Sequence, residues 1–143
     1  MPFALVVSMD RPMQLDATLR SFERHCHDAA SVRVQVIYKA STSRFLSLYR
    51  RLAQEHPAVD FIREGDYRSD TLTLVRDMDY VMFIVDDTVF VRDFSMGEIV
   101  EKLRREPQML GFSLRLGRNT TNCYTMNKPQ RLPEFKKTAE GDL

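Results

Sequence analysis

A chain of 143 residues, 43% hydrophobic and 29% charged, has the balance of one soluble globular domain and is long enough to bury a core. Its 21 basic and 20 acidic residues leave a net charge of +1, without the basic imprint that nucleic-acid or anionic-membrane partners usually leave. Cys26 and Cys123 make neither a disulfide framework nor a CxxC zinc pair, which excludes a small disulfide-stapled or zinc-ribbon fold. The opening MPFALVVSMDRP has too short an apolar run for a signal peptide, and no segment reaches transmembrane length. A cytoplasmic location with reduced thiols is the expectation.

Phe3 to Ser8 (FALVVS) is a short apolar run that suits a strand covered on both faces. Pro12 then opens a helix with Leu15, Leu19 and Phe22 at helical spacing, and both Pro12 and Asp16 suit a helix N-terminus. Val32 to Tyr38 (VRVQVIY) reads as a second strand. Phe45, Leu48, Tyr49 and Leu52 form one face of a second helix, with Ser41 or Thr42 as its cap. His56-Pro57 ends that helix, because proline disfavours helical geometry in the residue before it.

Ala58 to Ile62 (AVDFI) is a brief third strand. Gly65-Asp66 turns the chain into a third helix, with Leu72, Leu74 and Val75 on or near its buried side. Tyr80 to Val85 is a fourth strand, expected at the centre of the sheet. Ser95-Met-Gly-Glu98 is a capping box that opens a helix carrying Ile99, Val100 and Leu103. Met109 to Leu114 (MLGFSL) reads as a fifth strand.

Strands alternating with amphipathic helices predict an α/β domain of three layers, with helices on both faces of a mostly parallel central sheet. From Arg115 onward Gly, Asn, Thr, Pro and Lys accumulate and the helical period is lost. Residues 116–143 are expected to be an extended arm of the same single domain, residues 1–143, with a frayed end near Lys136 to Leu143.

In open α/β sheets, ligands bind beyond the carboxyl ends of the strands. That rule selects Met9-Asp10-Arg11, Lys39-Ala40-Ser41, Arg63-Glu64-Gly65-Asp66, Asp86-Asp87-Thr88 and Arg115. In YVMFIVDDTVF, six apolar residues run straight into Asp86 and Asp87. Adjacent carboxylates repel, and a divalent cation with phosphate oxygens in its shell, Mg²⁺ or Mn²⁺, is a common reason to tolerate them. The plainer alternative is that both acids solvate a turn.

Arg63, Arg68 and Arg115 lie near the same edge and suit either phosphate contacts or surface ion pairs. His25-Cys26-His27 points in different directions on a helix, so it reads as a solvated helix end and not as a metal cluster. No P-loop or GxGxxG is present, which leaves kinase-type and dinucleotide readings without a phosphate cradle.

FALVVSMDRPMQLDATLRSF resembles the first strand and helix of family 2-type glycosyltransferases of the GT-A fold, where a T-x-N-R-P turn precedes the helix. Here that turn is Ser8-Met9-Asp10-Arg11-Pro12, with Asp10 where Asn is common. DYVMFIVDDTVF is similar to the family's DxD segment, in which an apolar strand delivers acids to the metal and diphosphate of a nucleotide-sugar. The match spans about residues 3–115. Two features differ: Lys39-Ala40-Ser41 stands where the family often carries acids, and Thr88 supplies a hydroxyl in place of a third carboxylate.

The resemblance implies a metal-dependent glycosyltransferase that moves a sugar from a nucleotide-diphospho-sugar, a UDP-sugar first, to a sugar, lipid or protein acceptor. It implies Asp86 and Asp87 as ligands of Mn²⁺ or Mg²⁺, Asp86 also touching the donor. It places Asp10 and Arg11 near the nucleotide, with Ser8 and Asp66 as further donor contacts. No catalytic base is assigned. Residues 116–143 hold only Glu134, Glu140 and Asp142 as acids, so the acceptor half of the fold is expected to be shortened or missing. Two rivals remain: a non-catalytic nucleotide-binding or protein-interaction module on the same fold, and a haloacid dehalogenase-type phosphatase. The phosphatase needs a second acid where Thr88 stands.

Overall fold

Four parallel strands carry the fold: β1 (Phe3–Met9), β2 (Arg33–Lys39), β3 (Val59–Arg63) and β4 (Val81–Val85). They are seen in a computed structural model that describes residues 1–115, 117, 118, 120–132, 134, 137, 138, 141 and 142. Helices α1 (Pro12–His25), α2 (Ser43–Glu55), α3 (Tyr67–Val75) and α4 (Met96–Arg105) alternate with the strands. The sheet order is β3-β2-β1-β4 and every pairing is parallel, so the α/β architecture expected from the alternation is present.

The chain divides into two compact units, Met1–Pro107 and Gln108–Leu143, and the sheet belongs wholly to the first. The second unit contains two small antiparallel pairs: β5 (Asn122–Cys123) with β6 (Lys128–Pro129), and β7 (Lys137–Thr138) with β8 (Gly141–Asp142). Asn127 takes a positive φ of 46° in the turn before β6. Asn is among the few side chains that tolerate that region. Of the end expected to fray, only residues 137, 138, 141 and 142 are described; Glu140 lies outside the described residues.

Each strand alternates its side chains between two faces. Ala4 and Val6 of β1, Val34, Val36 and Tyr38 of β2, and Ile84 of β4 join Leu15, Leu19 and Phe22 of α1, Tyr49 and Leu52 of α2, and Met96 of α4 in the larger core. Phe3, Leu5 and Ile37 face the other way, against Leu74 and Val75 of α3 and Met78. Helices therefore cover both faces, which is why β1 reads as a continuous apolar run.

Several expectations are corrected. Met109–Leu114 is irregular and not a fifth strand; among the described residues it has no ladder partner, and Gly111 at its centre contributes nothing that a strand could pack. As a result β4 lies at the edge of the four-stranded sheet and not at its centre, with Phe83 64% exposed. Leu72 of α3 is exposed, leaving Leu74 and Val75 to make the contact. Asp16 lies beyond the first turn of α1 and pairs instead with Arg20 and His56. Cys26 is buried in the core and not part of a solvated helix end, and burial pushes its thiol up to about 11.

His56 does more than end α2. Its ring is buried between two carboxylates, with Nδ1 3.1 Å from Glu23 and Nε2 2.9 Å from Asp16. It fastens the end of α2 to the side of α1. Although burial pushes the Asp16 carboxyl up, its bonds to Arg20 and His56 hold it below the ordinary value.

Two of the expected caps are made. Thr42 accepts from the Phe45 N–H, and Ser95 accepts from the Glu98 N–H. Asp28 adds a second clamp on α4, which the sequence spacing did not reveal. Its carboxylate accepts from the Met96 and Gly97 N–H groups at 2.8 and 2.7 Å and from the Ser95 hydroxyl at 3.0 Å. Burial would raise this carboxyl, but those donors outweigh it and hold it at about 2, against an ordinary 3.8.

A carboxyl depressed by folding stabilises the fold above its ordinary value and loses that contribution as pH falls through the folded value. Asp28→Asn is therefore expected to cost on the order of 1–2 kcal/mol at pH 6. The gap between wild type and variant should close as pH falls from about 4 toward 2. Urea unfolding of both proteins across that range checks it.

Candidate active site

β1 is followed by β2 on one side, while β4 is laid down on the other, after the crossover from β3. The strand order therefore reverses between β1 and β4, and such a switch point opens a crevice for a ligand. A cleft of about 570 Å³ lies there, lined by the β1 turn, by Val85 at the end of β4 and by Asp86 and Asp87 after it. Glu64 and Tyr67 close it from the β3 side.

The β1 turn is held by its backbone. Asp10 has a positive φ of 56°, in a region that a short polar side chain tolerates better than most. Its N–H donates to the Lys39 carbonyl at 3.1 Å, and its carboxylate accepts from the Ser41 N–H at 2.8 Å. These bonds stitch the β1 turn to the β2 turn. Lys39-Ala40-Ser41 therefore supports Asp10, and no acid from β2 enters the cleft.

Asp86 and Asp87 leave β4 on different terms. Asp86 is buried, 6% exposed, while Asp87 is open to solvent. The Thr18 hydroxyl of α1 donates to the Asp86 carbonyl at 2.8 Å, fixing the backbone just after the strand. Ser8 shares the β1 face of Ala4 and Val6, so its hydroxyl points into the α1–α2 side and donates to Asp86 Oδ2 at 2.8 Å.

Both acids converge on one cation. Arg11 Nη1 lies 3.6 Å from Asp86 Oδ1 and 3.5 Å from Asp87 Oδ2. The guanidinium occupies the place where positive charge is best received, and it is half exposed. Among the described residues no group of three or more His, Cys, Asp or Glu forms a metal cage. Two carboxylates beside an open cleft nevertheless fit Mg²⁺ or Mn²⁺, which take hard oxygen ligands and draw much of their shell from water and substrate phosphates.

The structure thus brings together Ser8, Asp10, Arg11, Asp86 and Asp87 at one cleft. Asp66 is placed differently. It is the N-cap of α3, accepting from the Ser69 N–H at 2.8 Å, and it does not line the cleft. Arg63 and Arg68 are exposed and also outside the lining. Arg115 belongs to the second unit. Lys39 pairs with Glu64 at 3.3 Å.

Three contributors went unassigned in the sequence. Tyr67, half exposed at the start of α3, lines the cleft. Thr18 and Tyr49 look like ordinary helix core positions, and only their long-range bonds reveal them. Tyr49 OH lies 2.6 Å from Ser8 Oγ and accepts from the Arg11 N–H at 3.1 Å.

No family model matches the chain. It is similar to the protein named "Bifunctional glycosyltransferase pgtA" of Dictyostelium discoideum, at 32% identity over 135 residues. The similarity covers 88% of this chain and 18% of that protein, so the chain spans under a fifth of its relative's length. No helix among the described residues is long and apolar enough to cross a membrane. Both cysteines are free. The likeness along most of the chain supports kinship with glycosyltransferases.

Proposed function

We propose that the chain is the donor-binding domain of a family 2-type glycosyltransferase with a GT-A-like fold. In this proposal it takes a nucleotide-diphospho-sugar, a UDP-sugar first, and passes the sugar to an acceptor hydroxyl. The observation that carries it is the adjacent pair Asp86 and Asp87, both facing the Arg11 guanidinium, at the switch point between β1 and β4. Similarity to a segment of a named glycosyltransferase supports the same class.

The acids would hold Mn²⁺ or Mg²⁺, whose chemistry when bound is to neutralise the charge that builds on a departing nucleoside diphosphate. Asp86, held by Ser8, is the fixed ligand, and the exposed Asp87 adapts. Arg11 can present a planar donor fork to a phosphate, a geometry suited to paired oxygen acceptors. Tyr67 offers an aromatic surface to a base. Asp10, locked by Ser41, gives the nucleotide side a positioned carboxylate.

A panel of nucleotide-sugars incubated with the protein and Mn²⁺, followed by release of free nucleoside diphosphate, tests the proposal. Slow release is expected from at least one UDP-sugar, falling in Asp87→Ala by at least the roughly 10- to 100-fold that loss of a ligand's outer partner costs. Release from no donor, or release unchanged in Asp87→Ala, contradicts it.

A further inference from the structure

Asp86 is not oriented by its own strand alone. Ser8 Oγ gives its single proton to Asp86 Oδ2, so it can only accept from Tyr49. Tyr49 OH must therefore donate to Ser8, and its lone pair takes the Arg11 N–H. The proton order is fixed from end to end: Arg11 N–H to Tyr49 OH, Tyr49 OH to Ser8 Oγ, Ser8 Oγ to Asp86 Oδ2. Burial also pushes the Tyr49 phenol above its ordinary value.

The members come from the β1 turn, α2, β1 and the end of β4. Tyr49 is fully buried and stacks on Tyr38, ring centroids 4.4 Å apart, so its hydroxyl has little freedom to drift. Ser8 is 7% exposed and Asp86 6%. A buried relay of this kind holds one carboxylate oxygen on the protein side. Oδ1 is left on the side of the shared cation, where Arg11 Nη1 approaches it.

We propose that Tyr49 is a positioning residue for the acid pair: through Ser8 it fixes the rotamer of Asp86 and so sets cation affinity and cation-dependent donor binding. The proposal rests on the donor-site function above. Outer partners of metal ligands commonly change affinity by about 10- to 100-fold when removed. The Tyr49 hydroxyl, carried by the middle of α2, thus acts on a site that its side chain does not line.

The test is a double-mutant cycle on Mn²⁺ affinity in the presence of UDP, read by the free-Mn²⁺ electron paramagnetic resonance signal. Wild type, Tyr49→Phe, Ser8→Ala and the double variant are compared, with Leu52→Ala as a buried α2 control that lowers stability without touching the relay. Tyr49→Phe and Ser8→Ala should each weaken Mn²⁺ binding about tenfold, and the double variant no more than the weaker single one. Leu52→Ala should melt earlier yet bind Mn²⁺ as wild type does. Unchanged affinity in Tyr49→Phe, or fully multiplicative losses in the double variant, overturns the relay while leaving the donor site standing. No Mn²⁺ uptake by wild type with UDP overturns the donor site itself, and the relay's role with it.

Discussion

Asp86→Ala is expected to remove cation-dependent UDP binding, lowering affinity by about 100-fold or more. Of the cleft carboxylates Asp10, Glu64, Asp86 and Asp87, Asp86 is the one that is buried. Asp87 is exposed and lacks a hydrogen-bonded anchor of the kind that Ser8 gives Asp86. The substitution also leaves the Ser8 hydroxyl without its acceptor and Arg11 with one acid instead of two. The bond from Thr18 goes to the Asp86 carbonyl, so the backbone anchor after β4 survives. Equilibrium dialysis of radiolabelled UDP with Mn²⁺, alongside a thermal melt, separates lost binding from lost fold. Retained UDP affinity in a folded variant would place the nucleotide elsewhere.

Phe22→Ala is the substitution expected to damage the fold most, by about 3–5 kcal/mol. Phe22 is 2% exposed on α1 and meets Phe90 and Phe94 edge-on, with ring centroids 5.6 and 5.9 Å away. Those two rings stack on each other at 5.1 Å and belong to the segment between β4 and α4. That segment is tied to the end of α1 by backbone bonds between Phe94 and both His25 and His27. Truncation would leave a cavity where three rings meet and loosen the chain just beyond the acid pair. The stability loss should therefore come with weaker Mn²⁺ binding. Chemical unfolding of the variant measures the first effect, and a midpoint equal to wild type would contradict the packing described.

The periodic elements were legible in the sequence because burial on both faces and helical stripes leave direct marks. FALVVS, VRVQVIY and the Phe45–Leu52 stripe all became the elements they suggested. Strand order left no such mark. The apolar run of β4 suggested a central place, yet it forms the sheet edge and keeps Phe83 exposed. MLGFSL misled for the same reason: an apolar run shows that a strand is possible and says nothing about a partner.

At the site, the acids and the β1 turn were visible because few chemistries ask for adjacent carboxylates at a strand end. Asp66 was selected by the same edge rule, but its local geometry made it a helix cap. Tyr49 was hidden by the amphipathic pattern itself, since a buried tyrosine on a helix face looks like packing. Its hydroxyl acquires a role only when the β1 pleat turns Ser8 toward α2. Asp28 and His56 were missed likewise, because their partners are 67 to 69 and 33 to 40 residues away.

Calorimetric titration of the wild-type protein with UDP, once with Mn²⁺ and once with the cation chelated, is the most direct test of a cation-dependent nucleotide site at Asp86 and Asp87. Saturable heat with Mn²⁺ that disappears on chelation is the expected result. Equal heats under both conditions, or none under either, would contradict it.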